Sequence, residues 1–290
     1  YQLTSRFSEL IFTDKKDDSE IIIDDITFKL SEITSVWYRR PETPETKVED
    51  PNQRQFAEYE LGELLRQCYS RLDHALWVSS YQALDAARRK LPQLHIARSL
   101  GMVVPKTLAT NSPRRAHSFY NECDGRIIYK TLYAPVIKPS DGPELWGVPT
   151  TIIGKDHIDQ IDLIRHTGGI FQEYIEKVYE IRVTVIGEEL FAAKIDSQVE
   201  PTALTDWRNA VAYGLVEVTP YELPDAIAKQ CRSIIAAYGL NFGAIDIIKN
   251  CGNEYIFLEL NCNGQWLWVE EATGQPLSIA LVKLLTNAKK

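Results

Sequence analysis

Several features of membrane-bound and secreted proteins are missing from this sequence of 290 residues. It contains no run of about 18 apolar residues, so we expect no membrane-spanning helix. The first ten residues, YQLTSRFSEL, lack the basic and then apolar pattern of a signal peptide. The five cysteines are odd in number and show no CxxC spacing. This argues against a disulfide framework and a zinc site, and it favours the reducing cytoplasm.

Positive charge is in short supply as well. Lys and Arg number 32 against 40 Asp and Glu, which gives a formal net charge of −8. An acidic chain is a poor general binder of nucleic acid, so we expect no nucleic-acid partner, whereas a basic peptide remains compatible. Because 44% of the residues are hydrophobic, the chain can bury a core, and we expect two or three lobes.

Strand and helix patterns alternate along the chain, which predicts a mixed α/β class. Apolar spacing predicts helices at 53–73, 81–102, 224–238 and 276–290. Within the second of these, Pro92 is expected to begin a new helix in its first turn, and Gly101 to end it. Short apolar segments predict strands at 8–12, 20–24, 34–41, 74–80, 125–132, 150–154, 169–175, 181–187 and 189–196.

The segment FLELNCNGQW, Phe257 to Trp266, places polar groups inside an apolar strand. Strict alternation predicts that Leu258 and Leu260 share one face, while Glu259 and Asn261 share the other. Paired oxygen ligands on a rigid strand can hold a hard cation such as Mg²⁺. An edge strand with one solvated face is the more common cause of an isolated Glu-x-Asn. The neighbouring strand therefore has to decide.

That neighbouring strand, GAIDIIKN, carries a single acid, Asp246. The turn residues NCGN that close it predict a hairpin over 244–261. If the loop runs from Cys251 to Glu254, Asp246 stands opposite Glu259, and three oxygen-bearing side chains converge. A slip of one residue would turn Asp246 to the other face. In the predicted register, the hairpin is a much better metal site than the Glu-x-Asn pair alone.

Charged residues recur near predicted strand ends upstream of the hairpin. Lys130 lies inside the apolar strand RIIYKTLY, so we expect its ammonium to meet a phosphate or a carboxylate. A lysine that extends to solvent from an edge strand is the alternative. In GIFQEYIEKVYEIRV, the backbone between two strands can hydrogen-bond an adenine edge. Glu180 can then reach ribose hydroxyls and Arg182 a phosphate, although acids and arginines at strand ends are usually solvated.

The order of these residues resembles that of the ATP-grasp superfamily, in which two α+β lobes clasp ATP. The resemblance implies that Lys90 and Lys130 contact the ATP phosphates. It also implies a hinge, Gln172-Glu173-Tyr174-Ile175, in which the backbone of Glu173 to Ile175 binds adenine, followed by Glu180 at the ribose. The implied Mg²⁺ ligands are Asp246, Glu259 and Asn261.

Three motifs narrow the resemblance to the microviridin-type graspetide ligases, which cyclise a ribosomal precursor peptide through its side chains. They are VWYRRP at 36–41, DWR at 206–208 and ELNCNGQWLWVEEATGQPLS at 259–278. The last is the most specific, because an ordinary ATP-grasp enzyme has no need of Asn-Gly-Gln-Trp and Glu-Ala-Thr-Gly after its metal ligands. Two departures are Cys262, where the family usually has proline, and a start at the segment that follows the family's first strand and helix.

The resemblance implies an ATP-grasp fold of three domains. These are an N-terminal α/β domain at 1–88 without its first strand and helix, a central lid domain at 89–176 and a C-terminal domain with the metal site at 177–290. It further implies two Mg²⁺ ions with ATP, and Mn²⁺ as a substitute.

The implied activity is ATP-dependent closure of ω-ester or ω-amide rings through acyl phosphates. In it Lys130 and Arg182 stabilise the transferring phosphoryl group, and Arg208 stabilises the acyl phosphate. Two alternatives stay open. One is a carboxylate–amine ligase for another peptide or small molecule, such as a glutamate-adding enzyme, and the other is a nucleotide-binding regulator without turnover. The complete set of metal ligands and lysines argues against the regulator.

Two further segments carry expectations about substrate binding. The loop YAPVIKPSDGPELWGVPTT, at 133–151, is expected to be a mobile cover over the triphosphate, with a plain surface loop nearly as good an interpretation. The segment 182–197 predicts a hairpin that turns at Gly187-Glu188-Glu189. Its acids Glu188, Glu189 and Asp196 are expected to contact the leader of the precursor peptide, and a solvated turn is the alternative. We also expect a homodimer.

Overall fold

A computed structural model describes residues 7–12, 19–39, 44–132, 136–137 and 146–287. The chain separates into one unit of Tyr1–Tyr81 with Ile279–Lys290, and a second unit of Gln82–Ser278. The division into three domains at 88 and 176 stays a prediction. None of the helices in the described ranges combines the length and the apolar character that crossing a membrane requires.

The first unit combines an antiparallel sheet with a long helix. Its strands are β1 (Phe7–Ile11), β2 (Glu20–Ile23), β3 (Ile26–Lys29), the short β4 (Ser35–Val36) and β5 (Leu76–Trp77), and its long helix is α1 (Pro51–Ser70). The first three strands pair antiparallel in the order β1-β2-β3, and β4 pairs parallel with β5. Ile21 and Leu30 pack with Cys68 and Leu72 of α1 and its C-terminal end in a buried core.

Local chemistry explains two boundaries in this unit. The carboxylate of Asp50 accepts the N–H groups of Asn52 and Gln53, which fixes the start of α1 two residues before the predicted one. The sequence interpretation missed β3. Its hairpin with β2 turns at Asp24 and Asp25, both with positive φ, where the usual turn signal is Asn-Gly or Asp-Gly.

The rest of the described chain alternates strands and helices, as predicted. Its helices are α2 (Tyr81–Ala87), α3 (Lys90–Ser99), α4 (Pro113–Glu122), α5 (Lys155–Ile158), α6 (Arg208–Ala212), α7 (Asp225–Ala237), α8 (Leu267–Thr273) and α9 (Leu277–Thr286). Its strands are β6 (Thr107–Thr110), β7 (Ile127–Lys130), β8 (Val136–Ile137), β9 (Trp146–Gly147), β10 (Thr151–Ile153), β11 (Gly169–Glu173), β12 (Lys177–Ile186), β13 (Glu189–Ile195), β14 (Val218–Pro220), β15 (Phe242–Asn250) and β16 (Tyr255–Asn261).

Two larger antiparallel sheets organise the second unit. One has the strand order β10-β7-β11-β6, and the other β14-β13-β12-β15-β16. The chain passes from the first sheet to the second between Glu173 and Lys177. The fold is therefore a mixed α/β arrangement, which confirms the predicted class.

Helix α3 begins and ends as the sequence predicts. It starts at Lys90 and carries Pro92 in its first turn. Gly101 has φ of 79°, and the N–H groups of Gly101 and Met102 donate to the carbonyls of Arg98 and Ala97. These two hydrogen bonds form a Schellman cap, in which glycine is preferred at the position with left-handed backbone.

Candidate active site

The hairpin of β15 and β16 brings Asp246 and Glu259 opposite each other. The antiparallel register pairs Asp246 with Glu259 and Ala244 with Asn261. The predicted pairing at this end of the hairpin is therefore confirmed. Near the turn the prediction is wrong by one residue, because Lys249 and not Asn250 pairs with Tyr255.

An extra residue in β16 reconciles the two registers. Ile247, next to Asp246, pairs with Phe257, which leaves Leu258 unpaired in a β-bulge. The predicted strict alternation is wrong for the same reason, since Phe257 is fully buried whereas Leu258 and Glu259 are both half-buried. The bulge restores the register that places Glu259 across from Asp246.

Asn261 completes a cluster of three oxygen-bearing side chains. Its Nδ2 lies 2.9 Å from Oδ2 of Asp246 and 3.3 Å from Oε1 of Glu259. A flip of the amide would exchange Nδ2 for Oδ1 and present a third oxygen at the same place. Two carboxylates and an amide oxygen form a hard donor set that fits Mg²⁺. Across the described ranges, no group of three or more His, Cys, Asp or Glu side chains could hold a metal ion, so this mixed set is the candidate.

Arg182 neutralises Asp246 from the neighbouring strand. It stands opposite Asp246 in the register of β12 with β15, and its Nη1 lies 2.7 Å from Oδ1. The two side chains are only 6% and 13% exposed. Burial raises the pKa of Asp246, and Arg182 opposes that rise. Nε of Arg182 is buried without a hydrogen-bond partner among the described residues, so it can serve a ligand oxygen or a water.

Two lysines approach Glu259 from different elements. Nζ of Lys90 lies 3.6 Å from Oε2 of Glu259 and donates to the carbonyl of Thr131. Nζ of Lys130 donates to Oε1 of Gln172 at 2.9 Å. Strand β7 has β10 and β11 on its two sides, so an edge strand is the wrong explanation for Lys130.

The charges of this cluster act on one another. Burial by itself raises the pKa of Glu259, but Lys90 and Lys130 outweigh it and hold that pKa below the usual value. Burial lowers the pKa of Lys130, and the negative charge of Glu259 opposes that effect. Four cationic side chains thus act on the two carboxylates, namely Lys90, Lys130, Arg182 and Arg208. The excess positive charge suits a polyphosphate.

The DWR motif supports the cationic side of the site. The carboxylate of Asp206 accepts the N–H of Arg208 at 3.2 Å and Nε at 2.7 Å, and it also contacts Nη2. Burial by itself raises the pKa of Asp206, but the hydrogen bonds from Arg208 outweigh it and lower that pKa. Arg208 remains 57% exposed, so its guanidinium is held in place and still accessible to a ligand.

The tryptophans of two motifs meet beside Arg182. The ring of Trp207 lies 5.8 Å from Cζ of Arg182, within range of a cation–π contact. The ring of Trp268 lies 5.0 Å from that of Trp207. Trp268 therefore packs behind the ring that contacts Arg182, and the Asn-Gly-Gln-Trp segment adds a direct contact, since Nη2 of Arg182 donates to the carbonyl of Gln265. The sequence interpretation did not foresee this arrangement.

The second half of the long motif has a structural role. Oε2 of Glu270 accepts both the N–H and the hydroxyl of Ser278 at 2.6 Å. Gly274 ends α8 with φ of 69°. Thr273 contributes too, since its hydroxyl donates to the carbonyl of Val269 and accepts the N–H of Gln275. Thr273 and Gly274 of Glu-Ala-Thr-Gly, together with the preceding Glu270, therefore fix the turn after α8.

The VWYRRP motif lies partly outside the described residues, since 40 and 41 are not among them. Its Tyr38 packs against Tyr69 with ring centroids 5.5 Å apart. Trp77 and Tyr81 complete this aromatic cluster in the first unit, each with its ring 6.3 Å from that of Tyr38.

The predicted hinge connects β11 with β12. Gln172 is 2% exposed, and its Nε2 donates to the hydroxyl of Thr107. The N–H groups of Glu173 and Tyr174 donate to the carbonyls of Lys106 and Arg126, each at 2.9 Å. Within the described part of the chain, Ile175 N–H has no backbone partner. It is the donor of this segment that a base can use.

Glu180 is buried together with a lysine that the sequence interpretation missed. Nζ of Lys177 lies 2.6 Å from Oε1 of Glu180, and the side chains are 7% and 6% exposed. Burial raises the pKa of Glu180, and Lys177 opposes that rise. Both residues lie in the segment between the predicted strands 169–175 and 181–187, whereas the structure begins β12 at Lys177.

Two predicted binding segments have different outcomes. The hairpin of β12 and β13 is confirmed, with Ile186 paired to Glu189 and Gly187 at φ of 57°. Glu188 and Glu189 are exposed, whereas Asp196 pairs with Lys194 at 2.8 Å. The predicted cover loop lies largely outside the described residues, which include only 136–137 and 146–151 of it.

Comparisons with known proteins find no matching family model and no matching curated protein. Among solved structures, the chain is 30% identical to macrocyclase MdnC from Microcystis aeruginosa MRC, bound with precursor peptide MdnA. The TM-score is 0.86, over 99% of this chain and 89% of that one. It is 27% identical to a Chryseobacterium gregarium RiPP-associated ATP-grasp ligase in complex with ADP and a leader and core peptide, with a TM-score of 0.85 over 100% and 87% of the chains. Macrocyclase MdnB from Microcystis aeruginosa MRC is 28% identical, with a TM-score of 0.77 over 96% and 85%.

Proposed function

Because the chain belongs to the graspetide-type ATP-grasp ligases, we propose that it uses ATP to close macrocycles between side chains of a ribosomal precursor peptide. The observation that carries the proposal is the cluster of Asp246, Glu259 and Asn261 together with the cations around it. Two carboxylates and an amide that face lysines and arginines suit a magnesium–nucleotide complex in phosphoryl transfer.

The proposed reaction has two steps. A carboxylate oxygen of a precursor Asp or Glu attacks the γ-phosphorus of ATP, which gives an acyl phosphate and releases ADP. A Ser or Thr hydroxyl, or a Lys amine, of the same peptide then attacks the acyl carbon. Inorganic phosphate leaves and the nucleophile gives up a proton, so the peptide loses the atoms of one water for each ring. The protein needs no covalent nucleophile, since positioning and charge neutralisation suffice.

The cationic side chains divide this work. Lys90 and Lys130 neutralise the triphosphate, and Arg182 stabilises the phosphoryl group in transfer, helped by its buried and unpaired Nε. Arg208, held by Asp206 and still exposed, stabilises the acyl phosphate. When bound, Mg²⁺ supplies charge neutralisation of the phosphates, and Asp246, Glu259 and Asn261 would hold it. Two ions are proposed, with Mn²⁺ as a substitute.

The base and sugar of the nucleotide are assigned to the hinge. Ile175 is proposed to donate its N–H to the edge of the adenine, since the N–H groups of Glu173 and Tyr174 already have carbonyl partners. Gln172 joins the hinge to Lys130 through its side chain. Glu180 is proposed at the ribose hydroxyls, with Lys177 holding its carboxylate.

Mass spectrometry of a precursor peptide tests the proposal. The protein is incubated with ATP, Mg²⁺ and a panel of leader–core peptides of the microviridin type, and we expect the loss of one water for each ring. ADP release without water loss, with mass gain on an added amine, would instead indicate a carboxylate–amine ligase. Nucleotide binding with no ADP release would indicate a regulator. Mild base, which opens esters and spares amides, then identifies the bond.

A matched pair of variants ties the activity to the cluster. Glu259→Gln should abolish ring closure in a folded protein, because it removes charge from the metal-binding set. Glu254→Gln is the control, since Glu254 lies on the turn of the same hairpin and its carboxylate accepts from Nδ2 of Asn250 across that turn. Near-native activity of a folded Glu259→Gln protein would contradict the metal assignment.

We propose the hairpin of β12 and β13 as the contact for the leader of the precursor. Its exposed Glu188 and Glu189 support this, because they can pair with a basic leader residue. Asp196 contributes less, since Lys194 already neutralises it. Charge reversal of Glu188 and Glu189 should raise KM for the full precursor and spare basal ATP hydrolysis, whereas reversal at the exposed Asp159 should change neither. Equal effects on both activities would remove the hairpin from the leader site.

A homodimer remains part of the proposal. Light scattering of the purified protein tests it, and a particle with the mass of a single chain over the whole working concentration range would contradict it.

A further inference from the structure

The strand that carries Glu259 and Asn261 lies at the edge of its sheet. In the order β14-β13-β12-β15-β16, strand β16 pairs with β15 on one side only. The N–H and C=O groups on its outer side therefore need other partners. Near the bulge, the N–H of Phe257 donates to the carbonyl of Val103 at 2.9 Å. At the metal-binding end, the partner is a side chain.

That side chain is Gln93 of α3, which no sequence pattern singled out. Its Oε1 accepts the N–H of Leu260 at 2.8 Å, and its Nε2 donates to the carbonyl of Leu260 at 2.8 Å. Nε2 also donates to the carbonyl of Ala87 at 2.5 Å. A carboxamide carries the same donor and acceptor as a peptide group. Gln93, which is 1% exposed, thus stands in for one residue of a further strand.

The position of these bonds relates Gln93 to the metal-binding set. Leu260 lies between Glu259 and Asn261, and its own side chain is 3% exposed. Fixing both polar groups of its backbone fixes the directions in which the two neighbouring side chains leave the strand. Lys90, three residues before Gln93 on the same helix, contacts Glu259 itself. One face of helix α3 therefore binds the backbone of β16 through Gln93 and neutralises the carboxylate of Glu259 through Lys90.

We propose that Gln93 is a positioning residue that orients Glu259 and Asn261 for a divalent cation. The proposal rests on the proposed function, in which these residues hold Mg²⁺. Side chains that hold metal ligands in place commonly change metal affinity about 10- to 100-fold when they are removed. A purely structural role would instead lower stability and leave the metal affinity of the folded protein unchanged.

The test measures Mn²⁺ binding in the presence of ADP by electron paramagnetic resonance, together with hydrogen exchange at the Leu260 N–H. Gln93→Met removes all three hydrogen bonds, so we expect fast exchange at Leu260 and Mn²⁺ binding about 10- to 100-fold weaker. Gln93→Glu keeps the acceptor and loses the donors, so exchange should stay slow and Mn²⁺ affinity should fall less. ADP affinity without metal should not change in either variant.

Gln230→Met is the matched control, because Gln230 donates to the carbonyl of Leu100 at the other end of the same helix and has no bond to β16. Wild-type Mn²⁺ affinity in a folded Gln93→Met protein with fast exchange at Leu260 would overturn the positioning role and leave the proposed function intact. Failure of both Gln93 variants to fold would overturn it as well, since Gln93 would then act in folding. A wild-type protein that binds neither Mn²⁺ nor ADP would instead overturn the proposed function.

Discussion

The glycine of the Asn-Gly-Gln-Trp motif shows how tightly the site is packed. A Cβ placed on Gly264 would lie 2.5 Å from Cβ of Ala244, 2.9 Å from Nη2 of Arg182 and 3.1 Å from the carbonyl oxygen of Asn261. Non-bonded carbon atoms normally stay about 3.5–4 Å apart. Ala244 cannot yield, because β15 is paired with strands on both of its sides. The loop must therefore move away from Arg182 when a methyl group is added.

We expect Gly264→Ala to lower the free energy of unfolding by about 1–3 kcal/mol, the usual cost of overpacking a fixed site. It should also weaken ADP binding in the presence of Mg²⁺, since Nη2 of Arg182 loses its place beside the carbonyl of Gln265. Urea unfolding and calorimetry measure the two effects. Gly62→Ala in α1 is the control, because its Cβ would meet only Nη2 of Arg66 at 3.7 Å. That change should stabilise the protein by about 0.5–1 kcal/mol. Wild-type stability and ADP affinity in Gly264→Ala would refute the packing argument.

Three other predictions follow from single side chains. Lys130→Met should weaken ADP binding by about 1.5–3 kcal/mol, because it removes a charged hydrogen-bond donor to phosphate; calorimetry showing the wild-type affinity would contradict the phosphate role. Asp206→Asn should raise KM for the precursor, since Arg208 loses its anchor. The lowered pKa of Asp206 stabilises the wild type above the unfolded value of about 3.9, and that contribution is lost as pH falls through the folded pKa. Acid unfolding should thus be less steep in Asp206→Asn, and superimposable acid-unfolding curves would argue against the ion pair. At about pH 8, iodoacetamide should modify the exposed Cys251 first, because burial raises the pKa of Cys68 to about 12; early labelling of Cys68 by mass spectrometry would disagree with the fold.

Local patterns predicted the parts of the site that depend on one hairpin or one helix. The turn residues after Asn250 sufficed to predict the hairpin, whereas the pairing of Asp246 with Glu259 depends also on the bulge at Leu258. The Gly101 cap and the Pro92 start of α3 followed from backbone preferences that act over a single turn. These features have short-range causes, so the sequence carries their signals.

The parts that escaped prediction depend on contacts between distant segments. The bulge at Leu258 has no signal in the sequence, because an apolar residue at this position fits a regular strand equally well. Gln93 and Leu260 are separated by 167 residues, and no local pattern around a glutamine in a helix indicates that it will hydrogen-bond the edge of a strand. Trp207 and Trp268 likewise appeared as parts of separate motifs, and only the fold packs the two rings together, with Trp207 against Arg182.

Transfer of a heavy-oxygen label tests the central claim most directly. The side-chain carboxylates of a precursor peptide are labelled, the peptide is cyclised with ATP, and the inorganic phosphate is examined by mass spectrometry. Activation as an acyl phosphate predicts one labelled oxygen in phosphate for each ring that closes, and no transfer with Glu259→Gln. Rings that form while the phosphate stays unlabelled would contradict the account.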